Sequence, residues 1–275
     1  MKIKNVAAVY ISPTGTTEMM VKRIAGNLAE GLDVPMHCFS CTRPEMRKRP
    51  LIFTEQDLVV LGSPVYAGRV PNLMLPFLQS IQGHGALGVP IVLYGNRSYD
   101  DGLIELKKIM ETDGFYPIAA AAFVGQHSFS NTLAYGQPDD KAFALSDDFS
   151  EKILQKISSE DYRKEEDFFS VTGNDPIGPY FKPRDADGNP IDIRKVKPKT
   201  ANTCIHCGKC ADLCPMGAID FEDVKQITGI CIKCHACVKG CPQRAKYFDD
   251  TAFLFHKQDI EKRFASPIHE PDCFL

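Results

Sequence analysis

Apolar positions along the first 158 residues change period several times, and each change marks an element. Residues 6–11 (VAAVYI) are continuously apolar, as in a strand buried on both faces. Val21, Ile24, Ala25 and Leu28 then recur at helical spacing. Residues 33–39 predict a second strand and 58–62 a third, with the basic, proline-containing stretch 42–50 read as an exposed connection. Pro71 suits the first position of a helix carrying Leu73, Phe77 and Leu78, kinked at Pro76. Residues 91–94 predict a fourth strand, and Leu103, Leu106 and Met110 the helix after it. A fifth strand is read at 116–124, and Leu145, Phe149, Ile153 and Ile157 mark a last helix. Strands alternating with helices predict an α/β fold with a five-stranded parallel sheet covered on both faces. Ligands of such sheets bind at the carboxyl ends of the strands.

The loops at those ends carry the first candidate chemistry. Ser12, Pro13, Thr14, Gly15, Thr16 and Thr17 join the first strand to its helix, an arrangement that aims backbone N–H groups at an anion. The turn lacks the lysine of a Walker loop and the glycines of GxGxxG, so neither a nucleoside triphosphate nor a dinucleotide is suggested. Hydroxyls can hold a terminal monophosphate by hydrogen bonds alone; the plain alternative is a capped helix start. The third strand runs into Ser63, Pro64, Val65, Tyr66, Ala67 and Gly68. The fourth ends in Gly95, Asn96, Arg97, Ser98 and Tyr99, and the fifth in Gly125, Gln126 and His127. On these residues the chain resembles flavodoxins: the 12–17 turn looks like their phosphate loop, and 63–68 and 94–99 like their flavin-contacting loops. The resemblance covers about residues 3–158 and implies bound FMN and the strand order 2-1-3-4-5. The chain has no Trp, so Tyr66 and Tyr99 are the candidates to flank the isoalloxazine. Surface-loop or core packing is the plain alternative for each.

Behind this half lies a second pattern of a different kind. Residues 204–242 read CIHCGKCADLCP, a spacer, then CIKCHACVKGCP, two copies of C-x2-C-x2-C-x3-C-P. Paired Cys-x2-Cys motifs also read as zinc, but two complete copies, each closed by Cys-Pro, fit iron–sulfur clusters better. Over about residues 199–248 the chain resembles the bacterial-type ferredoxins with two [4Fe-4S] clusters. In that pattern the fourth Cys of each run ligates the other cluster. The resemblance thus implies cluster I on Cys204, Cys207, Cys210 and Cys241, and cluster II on Cys231, Cys234, Cys237 and Cys214. His206 and His235 stand inside the loops, His235 where such ferredoxins commonly show Gly. Either it is a surface residue without influence, or its protonated ring raises the cluster II potential as pH falls.

Composition narrows the class. At 275 residues two units are the natural expectation, and a net charge of -3 argues against nucleic-acid binding. The start resembles no signal peptide and no run approaches a membrane span, so a cytoplasmic location is expected. Cys38, Cys41 and Cys273 are left over as reduced thiols, with Cys38-x-x-Cys41 as a weak redox pair. The chain divides into a flavodoxin-like FMN domain (1–158), a connecting arm (159–199), a ferredoxin-like domain (200–248) and a tail (249–275). The arm opens with Glu160, Asp161, Glu165, Glu166 and Asp167, but Phe168, Phe169, Tyr180 and Phe181 make it too aromatic for a free tether. It is expected to pack on the body, and the tail to return as a helix on one domain.

Taken whole, the chain resembles the flavodoxin–ferredoxin fusion proteins of anaerobes. That resemblance implies electron transfer between FMN, the two clusters and one-electron redox proteins, and names no substrate. The alternative is an FMN-dependent reductase of a small organic molecule, with His127 as proton donor and Arg97 as anion anchor. A plain hydrogen-bonding or surface role is open to both residues. A third reading, clusters that only brace the tail or sense redox state, leaves the flavin loops without purpose.

Overall fold

The computed structural model describes residues 2–166 and 168–275; Asp167 of the acidic run lies outside them. In chain order the first half comprises β1 (Asn5–Tyr10), α1 (Thr16–Leu32), β2 (Met36–Ser40), β3 (Asp57–Pro64) and the short α2 (Leu75–Leu78). It continues with β4 (Leu87–Tyr94), α3 (Gly102–Thr112), β5 (Tyr116–Pro117), β6 (Ala120–Val124) and α4 (Asp140–Ile157). The second half has β7 (Lys199–Thr200), α5 (Lys209–Asp212), α6 (Ala236–Lys239), β8 (Lys246–Tyr247), α7 (Thr251–Arg263) and β9 (Asp272–Phe274).

The central sheet has the order β2-β1-β3-β4-β6-β9, with β5 pairing β4 at its start. From β2 to β6 every pairing is parallel, which is the flavodoxin-like strand order. Strand residues alternate between two cores. Val6, Ala8, Leu58 and Val60 face one with α1 and α4, while Ala7, Val9, Val59 and Leu61 face the other with α3. Each fully buried Val, Leu or Ile contributes roughly 1.5–3 kcal/mol, so this double-sided burial is what holds the half together. Arg23 adds a two-point contact from α1 to Asp147 on α4, at 2.7 and 2.6 Å.

Three differences from the sequence reading bear on the site. The fifth strand is broken into β5 and β6, and β6 is not an edge, because β9 pairs antiparallel with it through Ala120 and Phe274. The tail is therefore a helix and a strand, and it touches both halves. The 42–50 stretch is largely exposed, as expected, but it also makes long-range contacts. It forms a short 3-10 turn at Pro44–Arg47 whose arginines reach the cysteine half: Arg43 pairs with Asp212 at 2.7 Å, and Arg47 donates to the Pro215 carbonyl at 2.5 Å.

The arm lies along the α/β body. The Asp101 carboxylate accepts from Asn174 N, Asn174 Nδ2 and Gly178 N. Tyr180 donates to the Val70 carbonyl at 2.8 Å and lies under the Arg69 guanidinium. Lys107 and Lys156 lie over the Phe169 ring. By contrast, the cysteine half has a minute core of its own: Cys210, Ile219, Val224 and Cys237, two of them thiols. Among the described residues no helix is long and apolar enough to cross a membrane.

Candidate functional site

The eight cysteines of the two runs gather in two groups, and the chain crosses between them. One small cavity is lined by Cys204, Cys207 and Cys210 of the first run with Cys241 of the second. The other is lined by Cys231, Cys234 and Cys237 with Cys214. The exchange follows from local geometry. Each run curls its first three cysteines around one space, the third within a single helical turn, α5 or α6, and that turn carries the fourth Cys away. The left-handed backbone of Gly208 (φ 72°) and His235 (φ 60°) starts those turns. The departing thiols are fixed by the backbone: Cys214 Sγ accepts from Ala218 N at 3.3 Å and Cys241 Sγ from Ala245 N at 3.2 Å.

The donor chemistry suits iron. Burial pushes the Cys234 thiol up, and Cys237 up to about 12, so four ionised sulfurs in one dry space need cations among them. Soft thiolates in two sets of four match two cubane clusters.

The two cavities differ in depth. The Cys231 group sits on the carboxyl ends of the sheet strands: Met216 and Ile232 pack into the α/β core there. Burial of Tyr66, in the loop after β3, raises its hydroxyl well above the usual tyrosine range, and the charges of Cys234 and Cys231 add to this. Lys239 of α6 donates to the His127 carbonyl, 2.9 Å away, in the loop after β6. Phe129 touches His127, His235 and Phe253 at ring distances of 5.1, 5.1 and 5.0 Å. The Cys204 group is outermost: Cys207 is exposed, beside Ile205 and Phe221 at 60% and 67% exposure.

His235 is thus no surface residue. It is 6% exposed, stacked on Phe248 at 4.5 Å, and burial draws its pKa down to about 3. Burial there disfavours the protonated ring. His206, in the other loop, is exposed.

The loops of the α/β body meet at the same end of the sheet. In the first, Gly15 is left-handed (φ 94°) and caps α1 with no side-chain hydrogen bond, and a Cβ there would meet only open space. Ser12 Oγ accepts from Glu18 N at 2.9 Å. Thr17 is buried, while Thr14 and Thr16 keep surface. Apart from that Ser12 bond the turn has no side-chain cap, an arrangement that fits a phosphate. In the second, Ser63 is buried, Val65 N donates to the Leu93 carbonyl, and Tyr66 and Arg69 close a tight turn across Ala67 and Gly68. Pro64, Val65, Tyr66 and Ala67 keep surface.

The third loop is occupied by the tail. The buried Asn96 side chain donates to the carbonyls of Phe264 and Pro267 at 2.8 and 3.0 Å, and its Oδ1 accepts from His269 N at 2.9 Å. Tyr99 is 7% exposed, packs edge-on against Tyr94 and donates to Asp272 at 2.6 Å. Of the two tyrosines, only Tyr66 offers surface for a flat ring. Arg97 pairs with Asp100 and lies over Phe181 of the arm. Gly95 packs under the His127 ring, and Gln126 Nε2 donates weakly to the Ser130 carbonyl at 3.4 Å. His127 Nδ1 accepts from Phe129 N, and burial and nearby Lys239 hold its pKa down to about 3.

Comparison with known proteins bears on the cysteine half. Residues 197–242 match the family of 4Fe-4S dicluster domains. The chain thus joins a flavodoxin-like α/β domain to a ferredoxin-like segment. Several solved flavodoxins are similar over a little more than half of this chain. An archaeal flavodoxin is 17% identical, covers 57% of this chain and 100% of its own, with a TM-score of 0.40. A Streptococcus pneumoniae flavodoxin is also 17% identical, over 55% of this chain and 99% of its own, at a TM-score of 0.40. A Fusobacterium nucleatum flavodoxin mutant bound to flavin mononucleotide is 14% identical, over 57% and 98%, at 0.38. A search of curated proteins finds no match.

Two residues that build this site gave no sequence signal. Lys239 and Phe129 matter only because the two halves dock, and docking has no local period. Phe253 is different: its apolar setting after Tyr247 already suggested a packed helix.

Proposed function

We propose that this protein is an electron carrier in which FMN lies at the strand ends of the α/β domain, next to the cluster on Cys231, Cys234, Cys237 and Cys214. One observation carries the reading: that cysteine group is seated on the loops after β3 and β6, while the other reaches the surface. Bound flavin accepts electrons in pairs or singly, and each cluster passes one at a time.

The residues then divide the work. Ser12, Thr14, Gly15, Thr16 and Thr17 would hold the phosphate by hydroxyl and backbone N–H groups. The 63–68 turn, with the partly exposed Tyr66 ring, would bear on the flavin ring. Gly95, Arg97, Gln126 and His127 would frame it, and Asn96 and Tyr99 would hold that frame through the tail. Phe129, Phe248 and Phe253 exclude water between the halves, which keeps the intervening medium dry. One-electron partners would approach at exposed Cys207. The reductase alternative loses its two proposed agents: a neutral His127 is a poor proton donor, and Arg97 is already engaged by Asp100.

Anaerobic purification with assay of iron, sulfide and flavin tests this. The proposal expects about eight irons and one FMN per chain. Clusters without flavin, in protein supplied with FMN, would contradict the assignment of the 12–17 turn.

A further inference from the structure

The two cysteine runs continue past their closing Cys-Pro in parallel: Cys214-Pro-Met-Gly-Ala218-Ile219, and Cys241-Pro-Gln-Arg-Ala245-Lys246. The fold preserves the parallel. Ala218 N donates to Cys214 Sγ at 3.3 Å and Ala245 N to Cys241 Sγ at 3.2 Å. The next residue lines a cavity in each case, Ile219 with Cys214, Cys231, Cys234 and Cys237, and Lys246 with Cys204, Cys207, Cys210 and Cys241. At matched positions, one cavity has a hydrocarbon and the other an ammonium.

That ammonium is buried. Lys246 is 2% exposed, in β8 opposite Thr200 of β7, and Nζ donates to Thr200 Oγ1 at 2.7 Å and to the Val224 carbonyl. Both partners are neutral. A lysine this deep is almost always matched by an anion, because hydrogen bonds to neutral oxygens do not repay the loss of water around a full charge. The thiolates of its cavity are the anions at hand: Lys246 counteracts the upward push of burial on Cys210, and also acts on Cys237. Around the inner cavity, Lys233 and Lys197 both act on Cys231, but neither is buried as Lys246 is: Lys233 is half-buried and donates to the carbonyls of Cys231 and Arg194, and Lys197 is exposed and donates to the Ile227 carbonyl.

We propose that Lys246 is the counter-charge of the outer cluster, raising its reduction potential so that it takes an electron before the inner one. Adding an electron to a thiolate-bound cluster adds negative charge, and a fixed cation in a low-dielectric cavity favours that state. The inference rests on the two-cluster reading above. Electrons arriving at the inner cluster would then come to rest at the surface, where a partner can collect them.

The test is an EPR-monitored redox titration of the full-length, cluster-loaded protein, with a gadolinium chelate to mark the exposed cluster by its faster relaxation. In wild type the chelate-sensitive signal should grow in first. In Lys246→Ile, which copies the inner site, the reduced-to-oxidised ratio of that signal at fixed potential should fall about tenfold, a shift of about 59 mV for one electron. The other signal should move much less, since Lys246 acts on that group only through Cys237, and Lys246→Arg should restore most of the loss. If both midpoints are unmoved in Lys246→Ile, or if the chelate-sensitive cluster reduces last in wild type, the proposal is overturned. The wild-type order decides it even if the variant loads poorly. Iron and sulfide well short of two clusters in wild type would instead overturn the two-cluster reading.

Discussion

The α/β body and the cysteine half are stabilised by opposite means. In the body, β1, β3 and β4 are buried on both faces, and most side chains of two extended apolar clusters are fully removed from water. The cysteine half has four residues in its core and strands two residues long. Segments of that size do not fold on hydrophobic burial alone. Its shape is set by the ligands it wraps, by the docked face under Met216 and Ile232, and by the clamp of α7. The comparison teaches that one chain can contain a unit that folds first and a unit that folds on metal.

The largest effect should come from stripping the metal. Chelation under air should collapse the cysteine half while most of the sheet persists, seen as retained far-UV dichroism with new protease cuts after 199. Global unfolding in one step would break the comparison. Next is Phe253→Ala. The ring is fully buried against Phe248 and Phe129, at 4.9 and 5.0 Å, so its loss should cost about 3–5 kcal/mol, measured by denaturant titration of the loaded protein. That loss should appear in the cluster absorbance before the sheet signal.

A pH series sharpens the interface. The folded state holds His127 neutral with a pKa near 3, whereas the unfolded chain protonates it below about 6.5. Stability from this residue is therefore complete above about pH 6.5 and is lost as pH falls toward 3, by up to about 1.4 kcal/mol per unit. His127→Gln should flatten the melting-temperature curve between pH 7 and 5; an unchanged slope would show that His127 does not report on the docked face. Smallest is Arg43→Ala. The pair with Asp212 is half exposed on both sides, so its removal should cost less than about 1 kcal/mol and weaken with salt.

The same contrast explains what the sequence made legible. Apolar runs and helical spacing located β1, β3, β4, α1 and α4 because each buries its own pattern locally. The cysteine spacing exposed the two three-thiol loops for the same reason, because a thiol loop is a local object; the exchanged fourth Cys came from the resemblance to two-cluster ferredoxins. The broken β5–β6 strand was less plain, since Ile118 and Ala119 stay fully buried through the gap. Contacts between distant segments were not legible at all. The arginines at 43 and 47 looked like a solvated loop, Asn96 like a ligand contact and His235 like a surface ring. Each is used instead by a segment far along the chain, and nothing in the local composition tells of it. Lys246 shows the intermediate case: its oddity emerges when the two repeats are laid side by side and the cavity it lines is known.

The central claim is that the α/β site and the inner cysteine group form one electrical unit within a single chain. Stopped-flow mixing of the oxidised, fully loaded protein with a one-electron donor, followed separately at cluster and flavin wavelengths, tests it most directly. The account predicts that the clusters bleach first and the flavin follows at a rate independent of protein concentration. A flavin phase that scales with protein concentration, or a flavin that never responds to reduced clusters, would contradict it.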